Sequence, residues 1–304
     1  MTKKIISFVT VFALPFICAA EDSASKNSSF TNYTEQIPGT TVKFEMVAIP
    51  GGTLLKGDRK IEIKPFHMEK YELSWPEYVL WVFSENAEVE KGKLDGITHP
   101  TKPYGSIYRE RGEKGYPAIG MSNLAASEYC LWLSWKTGKK YRLPTEDEWE
   151  YACRAGSTTA YFWGSEAGKA GDYGWSIENS DSTTQTCGKK KPNPFGLYDI
   201  VGNVAEWVAR ASTNDLGWHS KDTRDAKNVT EWMARSATNG SAIARGGAFS
   251  EPVVKMRSSA RMIETPEWNE LDPQNPKSIW WLASADFVGF RVVRDADDAE
   301  KSAK

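Results

Sequence analysis

Apolar and polar positions alternate from Thr41 to Ile49, the period-two signature of a half-buried strand, and Pro50-Gly51-Gly52 turns the chain behind it. Ile61-Glu62-Ile63 and Phe66-His67-Met68 predict further strand. The period then changes to helical. Ser74 reads as an N-cap, with Pro76 at an early position and Glu77 three residues on, and Tyr78, Trp81 and Val82 form the apolar face. Ser122 opens a second helix, Asn123 to about Lys136, closed by Gly138. Thr145-Glu146-Asp147-Glu148 is a capping box for a third, running through Trp149, Tyr151 and Cys153 to Gly156, with Glu146 and Asp147 at its positive end. Lys91 to Gly115 is polar and punctuated by Gly and Pro, a long loop. After Gly156 the pattern is short strands and long loops, without an internal repeat.

The ends read differently. Lys3 and Lys4 precede an apolar run from Ile5 to Ile17, interrupted by Ser7, Thr10 and Pro15, and Cys18-Ala19-Ala20 offers small residues ahead of Glu21-Asp22. That is the layout of a cleaved secretory signal over residues 1–20, and it predicts export to the periplasm or beyond. The run is shorter than the roughly 20 residues a membrane-spanning helix needs, and no other uninterrupted run of that length follows. A lipid anchor on Cys18 is the alternative, for which Pro15-Phe16-Ile17 is a poor lead-in. Residues 21–40 are rich in Ser, Thr and Asn and predict a flexible leader; the folded domain is expected over 41–294, with a charged tail at 295–304.

Composition narrows the function. A formal net charge of −2 and scattered Lys and Arg exclude the basic stripe that nucleic acid requires. Thirteen tryptophans point to a core of large amphipathic rings whose N–H groups need partners, as a fold rich in irregular backbone supplies. Of four cysteines, Cys130, Cys153 and Cys187 outlast signal cleavage, an odd number without zinc-site spacing.

Four segments carry a family likeness, in order: Tyr116-Pro117-Ala118-Ile119-Gly120; the Tyr141 to Arg154 run R-L-P-T-E-D-E-W-E-Y-A-C-R behind its tyrosine; the Gly196 to Trp207 run G-L-Y-D-I-V-G-N-V-A-E-W; and Arg245-Gly246-Gly247, Arg257, Arg261 and Gly289-Phe290-Arg291-Val292. Together they resemble the formylglycine-generating (sulfatase-modifying factor) enzymes from about Phe44 to Val293. The resemblance implies an α+β, C-type-lectin-like fold with little regular secondary structure, few helices and twisted antiparallel sheets. The enzymes use oxygen to oxidise a cysteine of an unfolded sulfatase, within Cys-x-Pro-x-Arg, to formylglycine. They hold copper(I) between two cysteine thiolates, soft ligands for a soft ion. Those cysteines follow the Gly-Gly motif, where Gly246 to Arg257 here contains none, nor does anything after Cys187. Two more pocket positions depart from the pattern: Ala248 replaces the serine of Gly-Gly-Ser, and Ala205 replaces a tryptophan. Met256, the one sulfur nearby, is expected to be packing. The iron-dependent, sulfoxide-forming branch needs a histidine cluster, and His67, His99 and His219 are far apart in sequence.

The resemblance also implies a structural calcium ion, held by the carboxylates of Asp199 and Glu206 and the main-chain carbonyls of Gly202 and Val204, an oxygen set suited to a hard cation. The family's disulfide partners for Cys130 and Cys153 are absent, so the two either pair with each other or stay buried thiols, the latter favoured. Arg245, Arg257, Arg261 and Arg291 are expected to pin loops rather than bind ligand. Three functions follow. The first is a non-catalytic binding or structural module, recognising a protein, peptide or glycan at the pocket left by Ala205 and Ala248, beside a Ser212 to Asn239 loop bearing Trp218, His219 and Trp232. The second is an enzyme of the family with another metal or none. The third is a true formylglycine-generating enzyme with displaced cysteines, for which Cys187 is the remaining candidate.

Overall fold

The computed structural model describes residues 30–83, 115–209 and 241–296. The expected signal, the loop before Gly115, the Ser212 to Asn239 stretch with Trp218, His219 and Trp232, His99 and the tail beyond 296 lie outside the described residues.

Among the described residues, two four-stranded sheets and a hairpin form the β part. β1 (Tyr33–Gln36), β2 (Lys43–Ile49), β5 (Phe66–Glu69) and β10 (Val293–Asp295) make an antiparallel sheet in the order β1-β2-β5-β10, which brings the chain's last strand beside its first. β3 (Gly52–Lys56) and β4 (Arg59–Ile63) form a hairpin whose two-residue turn uses Gly57 at φ +63°, a conformation favouring glycine. β6 (Ala205–Trp207), β7 (Ile243–Arg245), β8 (Arg261–Ile263) and β9 (Val288–Gly289) form the second sheet in the order β8-β7-β6-β9, with β6 and β9 parallel.

The expectation that order starts near Thr41 is corrected: Tyr33 to Gln36 already pairs with Met46 to Lys43. Composition misleads here because a few residues anchor the strand. Ile37 is fully buried, Glu35 accepts from Tyr141 Oη at 2.6 Å and from Lys139 at 2.5 Å, and Tyr33 packs on His67.

The caps place the helices. α1 (Trp75–Val82) starts at the Ser74 box. In α2 (Asn123–Thr137) Ser122 accepts from Ala125 N, and Gly138 ends the helix left-handed at φ +71°. In α3 (Glu146–Arg154) the Thr145–Glu148 box forms in full, and Ala155 terminates it in the left-handed region, one residue short of Gly156. A short α4 (Ala170–Tyr173) follows.

Two cores result. One gathers Trp75, Tyr78, Trp81, Tyr129, Trp207 and Phe290 between α1, α2 and the second sheet. The other packs α3 through Trp149 against Ile49, Phe66 and Met68. Trp207 donates its N–H to Met121 O at 2.9 Å and Trp149 to Glu206 at 2.8 Å, while Trp175 Nε1 is buried without a hydrogen-bond partner among the described residues. No helix among the described residues is long and apolar enough to cross a membrane.

Candidate functional site

The expected ligand pocket is filled. Ala205, Ala248 and Met256 are each 0% exposed. Ala205 opens β6, hydrogen-bonded to Phe287 O, and sits with Ala248 in the first core. Met256 ends a 3-10 turn, Val253–Met256, and packs in the second core. Its Cε reaches where side chains would stand on two glycines: a Cβ added to Gly174 would lie 2.3 Å from it, and one on Gly202 3.0 Å. The sulfur is therefore packing, and the open Ala205–Ala248 pocket expected from the sequence is corrected to closed core. Ala205 and Ala248 are closed off from solvent and packed within the first core.

The turn that follows Leu197 is built on unusual backbone. Asp199, Gly202 and Asn203 all have positive φ, at 49°, 76° and 54°. At Gly202 a side chain is excluded, since a Cβ would lie 2.3 Å from Trp175 O. The turn presents Asp199 inward. Its Oδ2 accepts from Gly188 N at 2.6 Å, while Oδ1 is buried without a hydrogen-bond partner among the described residues. Burial raises its carboxyl to about 6.

Glu206 ends the turn inside β6 and is held on both oxygens. Arg291 Nη2 donates to Oε1 at 2.6 Å, and Arg291 Nε and Trp149 Nε1 donate to Oε2, each at 2.8 Å. The remaining Arg291 donors go to main-chain oxygens of Glu69, Lys70 and Tyr198. Arg245 similarly joins Glu146 and Glu150 of α3 to Ser258 O, and Arg261 reaches Glu146 from the surface. These three arginines are braces; Arg257 is exposed.

Sequence reasoning missed Glu72. It is 1% exposed, accepts from Val204 N at 2.9 Å and Asn203 Nδ2 at 2.6 Å, and takes the Cys187 thiol at 3.4 Å. Glu72, Cys187 and Asp199 thus bring one ligand-type atom each within 4.8 Å of one another. Burial, followed by the Asp199 and Glu206 charges, pushes the Glu72 carboxyl well above its usual range, and burial raises the Cys187 thiol as well. The signal available was a carboxylate between Tyr71 and Leu73, at the entrance to a capped apolar helix.

Cys130, Cys153 and Cys187, the cysteines among the described residues, are free thiols. Cys130 and Cys153 lie in different cores, and burial raises Cys153 to about 12. His67 is enclosed by Phe30 and Tyr33 and bonded to Thr31 O at 3.0 Å, a packed residue.

An open cavity of about 470 Å³ lies elsewhere, between β2, β5 and the start of α1. Its rim carries exposed Thr34, Lys43 and Glu45; its floor carries buried Phe44, Glu69, Glu72 and Glu77, and Cys187 lines one side.

The family described as Sulfatase-modifying factor enzyme 1-like domain matches over residues 34–296. Chaperone protein LppX of Paenibacillus barcinonensis is 27% identical, over 60% of this chain and 74% of its own length. The formylglycine-generating enzyme of Thermomonospora curvata is 27% identical, over 82% of this chain and 93% of its own. Among solved structures, Treponema denticola variable protein 1 superposes with a TM-score of 0.56 at 19% identity, covering 86% of this chain and 98% of that one, a likeness of fold.

Proposed function

The chain belongs to the sulfatase-modifying factor family, and from that premise we propose that it is an exported binding or structural module without copper-dependent cysteine-to-formylglycine oxidation. The observation that carries this reading is the closed packing of Ala205, Ala248 and Met256, each 0% exposed, where the family resemblance puts the copper pocket. Two thiolates are needed to hold copper(I) in that chemistry. Cys187 stands alone beside two carboxyls, and Cys130 and Cys153 are buried in separate cores. The relatives include one named a chaperone protein and one named a formylglycine-generating enzyme, so likeness of this degree does not by itself fix the activity. Metal analysis of the purified, copper-supplemented protein tests the reading. Substoichiometric copper supports it, and copper near one per chain that is lost in Cys187→Ser contradicts it.

A structural calcium ion is part of the proposal. The unpartnered Oδ1 of Asp199 fits a hard cation, to which the family resemblance would add the carbonyls of Gly202 and Val204. Glu206 fits less well than expected, because Arg291 and Trp149 take three of the roughly four lone-pair directions of its carboxylate. Glu72 supplies a second carboxylate near Asp199. One observation favours the second reading, an enzyme working through another site: Glu72, Cys187 and Asp199 converge, with Glu72 and Cys187 facing the cavity.

A further inference from the structure

Glu69 of β5 and Glu77 in the first turn of α1 are 2% and 5% exposed, and their carboxyls are hydrogen-bonded to each other. Two ionised carboxylates are acceptors only, so this contact requires a proton on one of them. Glu77 is the better placed anion. Its Oε2 accepts from Ser74 N at 3.0 Å and Oγ at 2.5 Å, while no N–H or hydroxyl among the described residues reaches Oε1. Glu69 accepts from Val292 N at 3.1 Å. Burial, then the charge of Glu77, raises the Glu69 carboxyl well above the carboxylate range, with the Val292 bond and Arg291 opposing. The other groups around the pair leave this proton in place. Arg291, between β9 and β10, gives its donors to Glu206 and to main-chain oxygens. From α2 come the Tyr129 hydroxyl and the Cys130 thiol, both kept neutral by burial, and α1 adds the buried hydroxyl of Tyr78. Glu72, after β5, shares the cavity, and the β2 rim carries Lys43 and Glu45, the latter paired with Lys70 at 2.9 Å.

We propose that Glu69 and Glu77 form a proton-held latch: one shared proton fastens the first turn of α1 to β5, and its loss at alkaline pH releases that turn. Two like charges without water between them repel, and both carboxyls are already fixed at their far oxygens by Ser74 and Val292. The cavity of about 470 Å³ is open and lined by Glu69, Ser74 and Glu77, which gives the proton its way out and makes the release of α1 a change in the cavity floor. Glu69 holds its proton more tightly folded than unfolded. The latch therefore contributes fully below the unfolded value near 4.5 and is lost as pH rises through the higher folded value. Neither the copper nor the calcium reading involves this pair, so the latch stands or falls separately.

Hydrogen exchange of the full chain from about pH 6 to 10, corrected for the intrinsic base-catalysed rate, tests the latch. Opening of α1 should rise by up to about tenfold per pH unit once Glu69 titrates, the effect of one proton, while α3 keeps its protection. Glu69→Gln retains an N–H for Glu77 and an oxygen for Val292, and should make α1 exchange flat across the range. Protection of α1 that does not change with pH overturns the proposal. So does a slope that survives Glu69→Gln, or an equal loosening of α3, which would be global destabilisation. Should Glu69→Gln misfold, infrared spectra of the parent decide. A protonated-carboxyl stretch at neutral pH that persists in Glu72→Gln and disappears in step with the loosening of α1 supports the latch, and absence of that band overturns it.

Discussion

Glu206 and Arg291 stand 85 residues apart in sequence and meet as a bidentate ion pair with both side chains at 0% exposure. Through it the β6 strand is tied to Trp149 of α3 and to the main chain at Glu69, Lys70 and Tyr198. Removing one partner strands a buried charge. Glu206→Gln or Arg291→Met should each lower unfolding free energy by about 3–5 kcal/mol. The double variant Glu206→Leu/Arg291→Met should recover a substantial part, as measured by urea denaturation. Additive losses would mean the two residues act independently.

Met256 gives a second test, aimed at the filled pocket. Met256→Ala should lower stability by about 2–5 kcal/mol through the cavity left beside Gly174 and Gly202. Copper content should stay where it was. A variant that melts like the parent but binds less copper would make Met256 a copper ligand and contradict the packing role.

His67 predicts a pH dependence. Burial lowers its pKa, with Arg294 and Lys139 adding to the effect against the Thr31 hydrogen bond, and its Nδ1 is buried without a partner. The folded state therefore binds this proton less readily than the unfolded state. Its contribution to stability is present above the unfolded pKa near 6.5 and declines as pH falls below it. His67→Phe keeps the ring contacts and loses one hydrogen bond worth about 1 kcal/mol. Relative to the parent, the variant should gain ground as pH falls from about 8 to 5 in thermal melts. A stability difference constant with pH would contradict the assignment.

Calcium should raise the melting temperature by mass action on the folded state. Asp199→Ala should abolish that shift, and Glu72→Gln should reduce it. Glu206→Gln should weaken the fold whether or not calcium is present. No shift at millimolar calcium would remove the ion from the account, given that extracellular modules bind at about 10⁻⁴–10⁻³ M.

Much of the fold was legible because it rests on local rules. Ser74, Ser122 and Thr145 cap the helices that their sequence neighbours predict, and Gly138 ends one. β1 was not legible, since Tyr33 and Glu35 are held by Tyr141 and Lys139 about a hundred residues away, which no local pattern reports. The candidate site divides the same way. The Asp199 to Glu206 turn was visible as a motif, but the pairing of Glu206 with Arg291 and the arrival of Glu72 beside Asp199 and Cys187 depend on tertiary contacts. The absence of cysteine from Gly246 to Arg257 was plain in the sequence. That alanines at 205 and 248 leave closed core rather than an opening depended on how the strands pack around them.

The central claim is that this family member does not oxidise cysteine to formylglycine. Its most direct test is mass spectrometry of a Cys-x-Pro-x-Arg peptide incubated with the full-length protein, copper(I), a thiol reductant and oxygen. The account predicts that the peptide cysteine keeps its mass beyond ordinary thiol oxidation. Formylglycine accumulating over multiple turnovers, and absent with Cys187→Ser, would contradict it.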